Sequence, residues 1–119
     1  MSAKLENKLG TIVYTDNYLG TLAGMAATES YGVVGMSSKK VTDGLVELLG
    51  KENLQRGVKI FSDESDVIRI ELNIVVQYGI SIGTSASSII ETVKYTVEKA
   101  TGLTVSEVNV VISGIRVQA

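Results

Sequence analysis

Ile68-Arg69-Ile70-Glu71-Leu72-Asn73-Ile74-Val75-Val76-Gln77-Tyr78 is the stretch that organises this chain. Every second residue is apolar: Ile68, Ile70, Leu72, Ile74, Val76 and Tyr78. Arg69, Glu71, Asn73 and Gln77 fall between them. Side chains of a strand alternate between its two faces, so the pattern predicts one long strand with a buried face and a wet face. Such a strand belongs to a sheet covered by helices on one side. No titrating constellation interrupts it.

Working outward, Gly57 to Ser62 reads as a shorter strand, and Asp63-Glu64-Ser65-Asp66 as a polar turn joining the two into a hairpin. After the long strand, Thr84 or Ser85 is placed to cap a helix running to about Thr101. Its apolar stripe is Ala86, Ile89, Ile90, Val93, Val97 and Ala100, and Gly102 stands where helices favour glycine. Thr104 to Ile112 reads as a final strand, with 113–119 as an extension or tail. Upstream, residues 1–9 read as a polar N-terminal arm, and 10–117 as a single α+β domain. Thr11 to Tyr14 is a first strand, and Asp16 caps a helix from about Asn17 to Ser30. A second, shorter helix is expected from Val41 to Leu49, after a glycine-bounded break.

The expected order is therefore β-α-α-β-β-α-β: a mostly antiparallel four-stranded sheet with helices on one face. Two topologies accommodate it. One is a ferredoxin-like split β-α-β that puts the first and third strands in the centre. The other resembles the KH nucleic-acid-binding module, whose helices are joined by a Gly-x-x-Gly loop.

The chain has 119 residues, enough for one hydrophobic core, and 45% of them are apolar. It contains no Cys and no His. That removes disulfides, thiolate metal sites, cysteine nucleophiles, the Ser-His-Asp triad and the usual near-neutral general base. Asp, Glu, Lys and Tyr remain as acid/base groups, and each needs strong tuning to act near neutrality. The expectation is a non-enzyme with no cofactor. A net charge of −2 argues against nucleic acid as the main partner. No apolar run reaches the ~20 residues of a membrane span, and the N-terminus lacks a signal-peptide core. The expected location is the cytoplasm, with membrane association only through a partner.

Four features invite a functional reading. Gly32-Val33-Val34-Gly35, followed by Lys39 and Lys40, has the outline of a phosphate clamp, but two valines between the glycines suit a tight turn better. Gly20-x-x-x-Gly24 reads as close packing against a neighbouring element rather than a membrane dimer face. Asp63, Glu64 and Asp66 lack the spacing of a calcium loop and read as a solvated turn. Lys39, Lys40, Lys51, Arg56 and Lys59 form a basic speckle able to meet an acidic partner. On the outer sheet face, Val75 shares parity with the polar residues. With Val13 and Val111 from neighbouring strands it is expected to form an exposed apolar island, suited to self-association or a protein partner.

A family resemblance rests on dispersed motifs. These are Gly10-Thr11-Ile12, Leu22-Ala23-Gly24-Met25-Ala26-Ala27-Thr28-Glu29, Gly32-Val33-Val34-Gly35-Met36 and Gly57-Val58-Lys59-Ile60. Val75-Val76-Gln77-Tyr78-Gly79, the stretch Val93 to Val97, Thr101-Gly102-Leu103 and Val108-Asn109-Val110 continue the series. In this order they resemble the alkaline shock protein family, also called the Gls envelope stress response family, of Gram-positive bacteria. The resemblance implies a non-catalytic cytosolic protein of cell-envelope homeostasis that self-associates or docks to a partner. That partner is membrane-anchored or an enzyme of lipid metabolism; some members are linked to fatty-acid and phospholipid metabolism. No active-site residue is carried over. The resulting expectation is an interaction module using Val13, Val75, Val111, Gly32, Gly35, Lys39 and Lys40. A KH-like nucleic-acid binder and an accessory subunit of a lipid enzyme are the alternatives.

Overall fold

The computed structural model describes residues 3–38 and 48–116. The long strand stands at the centre as β5 (Val67–Gln77). Ile68, Ile70, Leu72, Ile74 and Val76 are all buried, as the alternation predicts. Tyr78 lies beyond the strand and is 68% exposed, so the buried stripe ends at Val76.

Both edges of β5 are occupied. One is shared end to end. β4 (Val58–Glu64) pairs antiparallel with its first half, through Val58↔Leu72 and Ile60↔Ile70. β3 (Val33–Met36) pairs antiparallel with its second half, through Val33↔Val76 and Met36↔Ile74. The other edge is taken along its whole length by β6 (Thr104–Arg116), which runs parallel to β5. The expected β4–β5 hairpin is present. Among the described strands, two of the three pairings of this sheet are antiparallel, as expected, and the parallel pair makes it mixed. Parallel neighbours need a crossover of a dozen residues or more, and α2 (Ile82–Thr101) supplies it.

α2 follows its predicted stripe. Ile89, Val93 and Val97 are fully buried, while Ala100 is exposed and Ser85 and Thr101 complete the inner face. Gly102 ends the helix at φ 78°, a left-handed conformation that costs glycine least. α1 (Asp16–Thr28) begins one residue earlier than expected, because Thr15 is the cap and its hydroxyl accepts from the Tyr18 N–H at 3.1 Å. Its glycines do what their cost requires. A Cβ on Gly20 would stand 3.1 Å from Gln55 Cβ, and one on Gly24 would stand 3.0 Å from Leu54 Cβ. α1 therefore lies directly against a 3-10 segment, Lys51–Gly57. Helix residues and the apolar stripe of β5 share one core.

Two expectations about the first strand fail. Ala3–Asn7, expected as part of a polar N-terminal arm, forms strand β1, which pairs with β2 (Gly10–Tyr14) in a separate antiparallel hairpin. β2 is thus outside the main sheet and cannot take the central place that a ferredoxin-like order gives it. The hairpin is docked rather than inserted. The Tyr14 hydroxyl donates to the Thr101 carbonyl at 2.8 Å, Leu5 packs against Gly102, and the Lys4 N–H donates to the Ser65 carbonyl at 2.6 Å. The expected second helix, Val41 to Leu49, lies outside the described residues except for its end. There Leu48 bridges Ser37, and the Leu49 N–H donates to the Met36 carbonyl.

Candidate functional site

The residues singled out on the outer sheet face do not assemble as expected. Val75 is 1% exposed. It lies between Gly35 on β3 and Gly114 on β6, and Leu48 returns to within 3.2 Å of where a Cβ on Gly35 would stand. Neighbouring glycines and the returning chain close this part of the face, so Val75 is not a surface residue. Asn73 is also buried and donates through Nδ2 to the Gly57 carbonyl. Val13, on β2, is exposed but pairs with Lys4 in the separate hairpin, away from the sheet register of Val75. Val111 is exposed and lies opposite Asn73 on β6. No apolar island joins the three.

The glycine break also changes meaning. Val33, Val34, Gly35 and Met36 form strand β3, so Gly32 and Gly35 do not frame a loop between helices. Lys39 and Lys40 lie outside the described residues. The outline of a KH phosphate clamp is therefore absent from residues 32–35, where a strand occupies its place. Of the basic speckle, Lys59 lies 5.0 Å from the Phe61 ring, which Arg69 also faces at 4.8 Å. Among the described residues no three metal-ligating side chains converge.

What the structure brings together is the end of the sheet around Gly32. Gly32 has φ 85°, and its carbonyl accepts from the Gln77 N–H at 2.9 Å. That bond ties the turn before β3 to the turn after β5, where Gly79 has φ 93°. Each glycine follows a tyrosine, and both tyrosines are thrown outward: Tyr31 is 83% exposed and Tyr78 68%. Between the turn and α2 lies a cavity of about 220 Å³, lined by Tyr31, Ile80, Ser81, Thr84, Ser85 and Ser88. Gly32 keeps it tight, because a Cβ there would stand 2.5 Å from Ile80 Cδ1. Ser85 fixes one wall by donating to the Tyr31 carbonyl at 2.9 Å.

No acidic or basic side chain lines this cleft. It is also smaller than the roughly 300–1,000 Å³ of typical small-molecule sites. Its chemistry is that of a shallow seat for one side chain of another molecule, rimmed by the Tyr31 ring and by hydroxyls. Sequence reasoning found Gly32 here but missed Tyr31, Ile80, Ser81, Thr84, Ser85 and Ser88. The repeated Tyr-Gly at 31–32 and 78–79 was the available signal.

Residues 4–117 match the model of the alkaline shock protein 23 family, described as having a cell envelope-related function. The chain belongs to this family. It is 42% identical over 118 residues to the uncharacterized protein YloU of Bacillus subtilis (strain 168), covering 98% of each. To the uncharacterized protein Spy1614 of Streptococcus pyogenes serotype M6 it is 38% identical, covering 98% of this chain and 97% of the relative. A second Bacillus subtilis relative, the uncharacterized protein YqhY, is 35% identical over 93% of this chain and 81% of its own length. No solved structure matches the chain. The resemblance read from the dispersed motifs is thereby established over nearly the whole sequence. Among the described residues no helix is long and apolar enough to cross a membrane.

Proposed function

We propose that this member of the alkaline shock protein family is a non-catalytic module that serves the cell envelope through protein–protein contact. The cleft at Gly32 is its contact surface. The observation carrying this reading is the pair of exposed tyrosines, Tyr31 and Tyr78, on two turns joined by a backbone hydrogen bond beside an uncharged cleft. Tyrosine offers a large rigid apolar area and a polar tip, and it is enriched among residues that dominate binding energy at interfaces. Exposing two of them at one end of a sheet otherwise rich in buried aliphatics is compatible with a waiting partner. The partner envisaged is a protein, membrane-anchored or an enzyme of lipid metabolism, which would bring a cytoplasmic chain to the envelope.

The test is capture from a detergent-solubilised envelope extract of a Gram-positive cell. The immobilised wild-type chain is compared with Tyr31→Ala and the Tyr31→Ala/Tyr78→Ala pair. The wild type retains a defined protein that the single variant retains weakly and the double variant loses. Retention of the same protein by all three, or of nucleic acid alone, defeats the proposal.

A further inference from the structure

β6 is a 13-residue strand that, among the described residues, pairs only with β5. Edge strands carry a row of backbone donors and acceptors that another chain can complete. Which groups point outward follows from alternation. The Thr104 N–H donates to the Asp66 carbonyl, and the Arg116 carbonyl accepts from the Tyr78 N–H, so both residues turn their backbone toward β5. Counting between them, and allowing for the register shifts at Ser106 and Ser113, leaves Val108, Val110, Ile112 and Ile115 with backbone groups facing away from β5. Glu107, Asn109, Val111, Gly114 and Arg116 align with the outer-face residues of β5.

We infer that this edge pairs with β6 of a second copy, antiparallel, about a two-fold axis at Val111. The register is the one that the strand's own sequence makes complementary. With Val111 opposite itself, Val110 meets Ile112 and Val108 meets Ile115. These are the outward-facing residues, so each is a hydrogen-bonded pair of an antiparallel ladder. Asn109 meets Gly114. Glu107 meets Arg116, once at each end. The bulged Ser113 stays unpaired in both copies. Pairs of the non-hydrogen-bonded kind bring side chains closest, and here they are Val111 with itself, the two Asn109–Gly114 pairs and the two Glu107–Arg116 contacts.

Exposure agrees with that register. Val111 is 42% exposed and Ile115 52%, and Val110 and Ile112 are only partly covered by this chain's own core. Val105 and Val108, at the start of the same strand, are buried. The antiparallel arrangement lays the bare half of each strand against the covered half of its partner. It extends the sheet's apolar face across the axis. The surface is independent of the cleft at Gly32, and either can fail without the other.

The experiment is the mass in solution, by sedimentation across a concentration series, of four proteins: wild type, Glu107→Arg, Glu107→Arg/Arg116→Glu, and Val111→Lys. Circular dichroism confirms that each is folded. The wild type reaches twice the 12.6 kDa of one chain at high micromolar concentration. Glu107→Arg sets like charges against each other at both ends, and Val111→Lys does so on the axis. Each raises the dissociation constant on the order of tenfold or more. The charge-swapped double variant recovers the dimer, which a merely structural effect of Glu107→Arg would not allow. A wild type that stays at one chain's mass, a dimer indifferent to Glu107→Arg and Val111→Lys, or a double variant that fails to recover overturns the inference.

Discussion

Gly32 and Gly83 show how differently two glycines of one chain are used. Gly32 sits at φ 85°, and a Cβ there would meet Ile80 Cδ1 at 2.5 Å. Gly83 lies in the first turn of α2 with nothing within 4 Å of such an atom. Gly32→Ala is expected to destabilise the fold by about 1–2 kcal/mol, the cost of a left-handed L-residue, with the clash against Ile80 added unless that side chain swings aside. Gly83→Ala should stabilise it by up to about 1 kcal/mol, since it removes backbone freedom from the unfolded chain. Urea denaturation of the two variants reads both signs. At this scale the sequence was partly legible. Interior glycines at 20 and 24 announced a close approach, because nothing else offsets their cost in a helix. Tyr31 was legible only as half of the repeated Tyr-Gly, which carries no sign of whether its ring turns inward. Its place beside Ile80 and Ser85 follows from the Gln77 bond to the Gly32 carbonyl and the Ser85 bond to the Tyr31 carbonyl.

Strands and helices were legible where one face is wet. The stripe of α2 is found, and the alternation of β5 holds from Val67 to Leu72, beyond which Asn73 and Val75 on the other face are buried as well. Val75 was misread because parity tells which face a side chain takes, not what lies on that face. Gly35, Gly114 and the return of Leu48 are long-range facts, and they close the outer face at that point. A paired substitution tests this. Val75→Lys buries a charge and is expected to cost about 3 kcal/mol or more. Val111→Lys, on the exposed strand, should stay within about 0.5 kcal/mol at low protein concentration. Equal effects in thermal or chemical melts would contradict the burial of Val75. The parallel β5–β6 pairing was likewise hidden. A strand's sequence records its own alternation and not the direction of its neighbour.

At the scale of the whole molecule, the sheet and helices share a core, and the β1–β2 hairpin, paired apart from the main sheet, sends Ala3 into it. Among the described residues its attachment combines Ala3, buried in that core, with the bond from Tyr14 to the Thr101 carbonyl, Leu5 against Gly102, and the bond from Lys4 to the Ser65 carbonyl. Tyr14→Phe removes one hydrogen bond, a loss of about 0.5–1.5 kcal/mol. Amide exchange in residues 3–14 is expected to accelerate roughly three- to tenfold, by that free energy, while β5 keeps its protection. Acceleration across β5 of the same size would mean that the hairpin is part of the cooperative core. The family's relation to the cell envelope is carried by the chain as a whole, since the family match spans residues 4–117. In the function proposed above, the chain serves it through the surface that it offers. Hydrogen exchange of the chain bound to its captured envelope protein measures that surface directly. Protection gained at residues 31–34 and 78–88, and absent with Tyr31→Ala, is the predicted result. A complex that leaves those two segments as exchangeable as in the free protein would contradict the account.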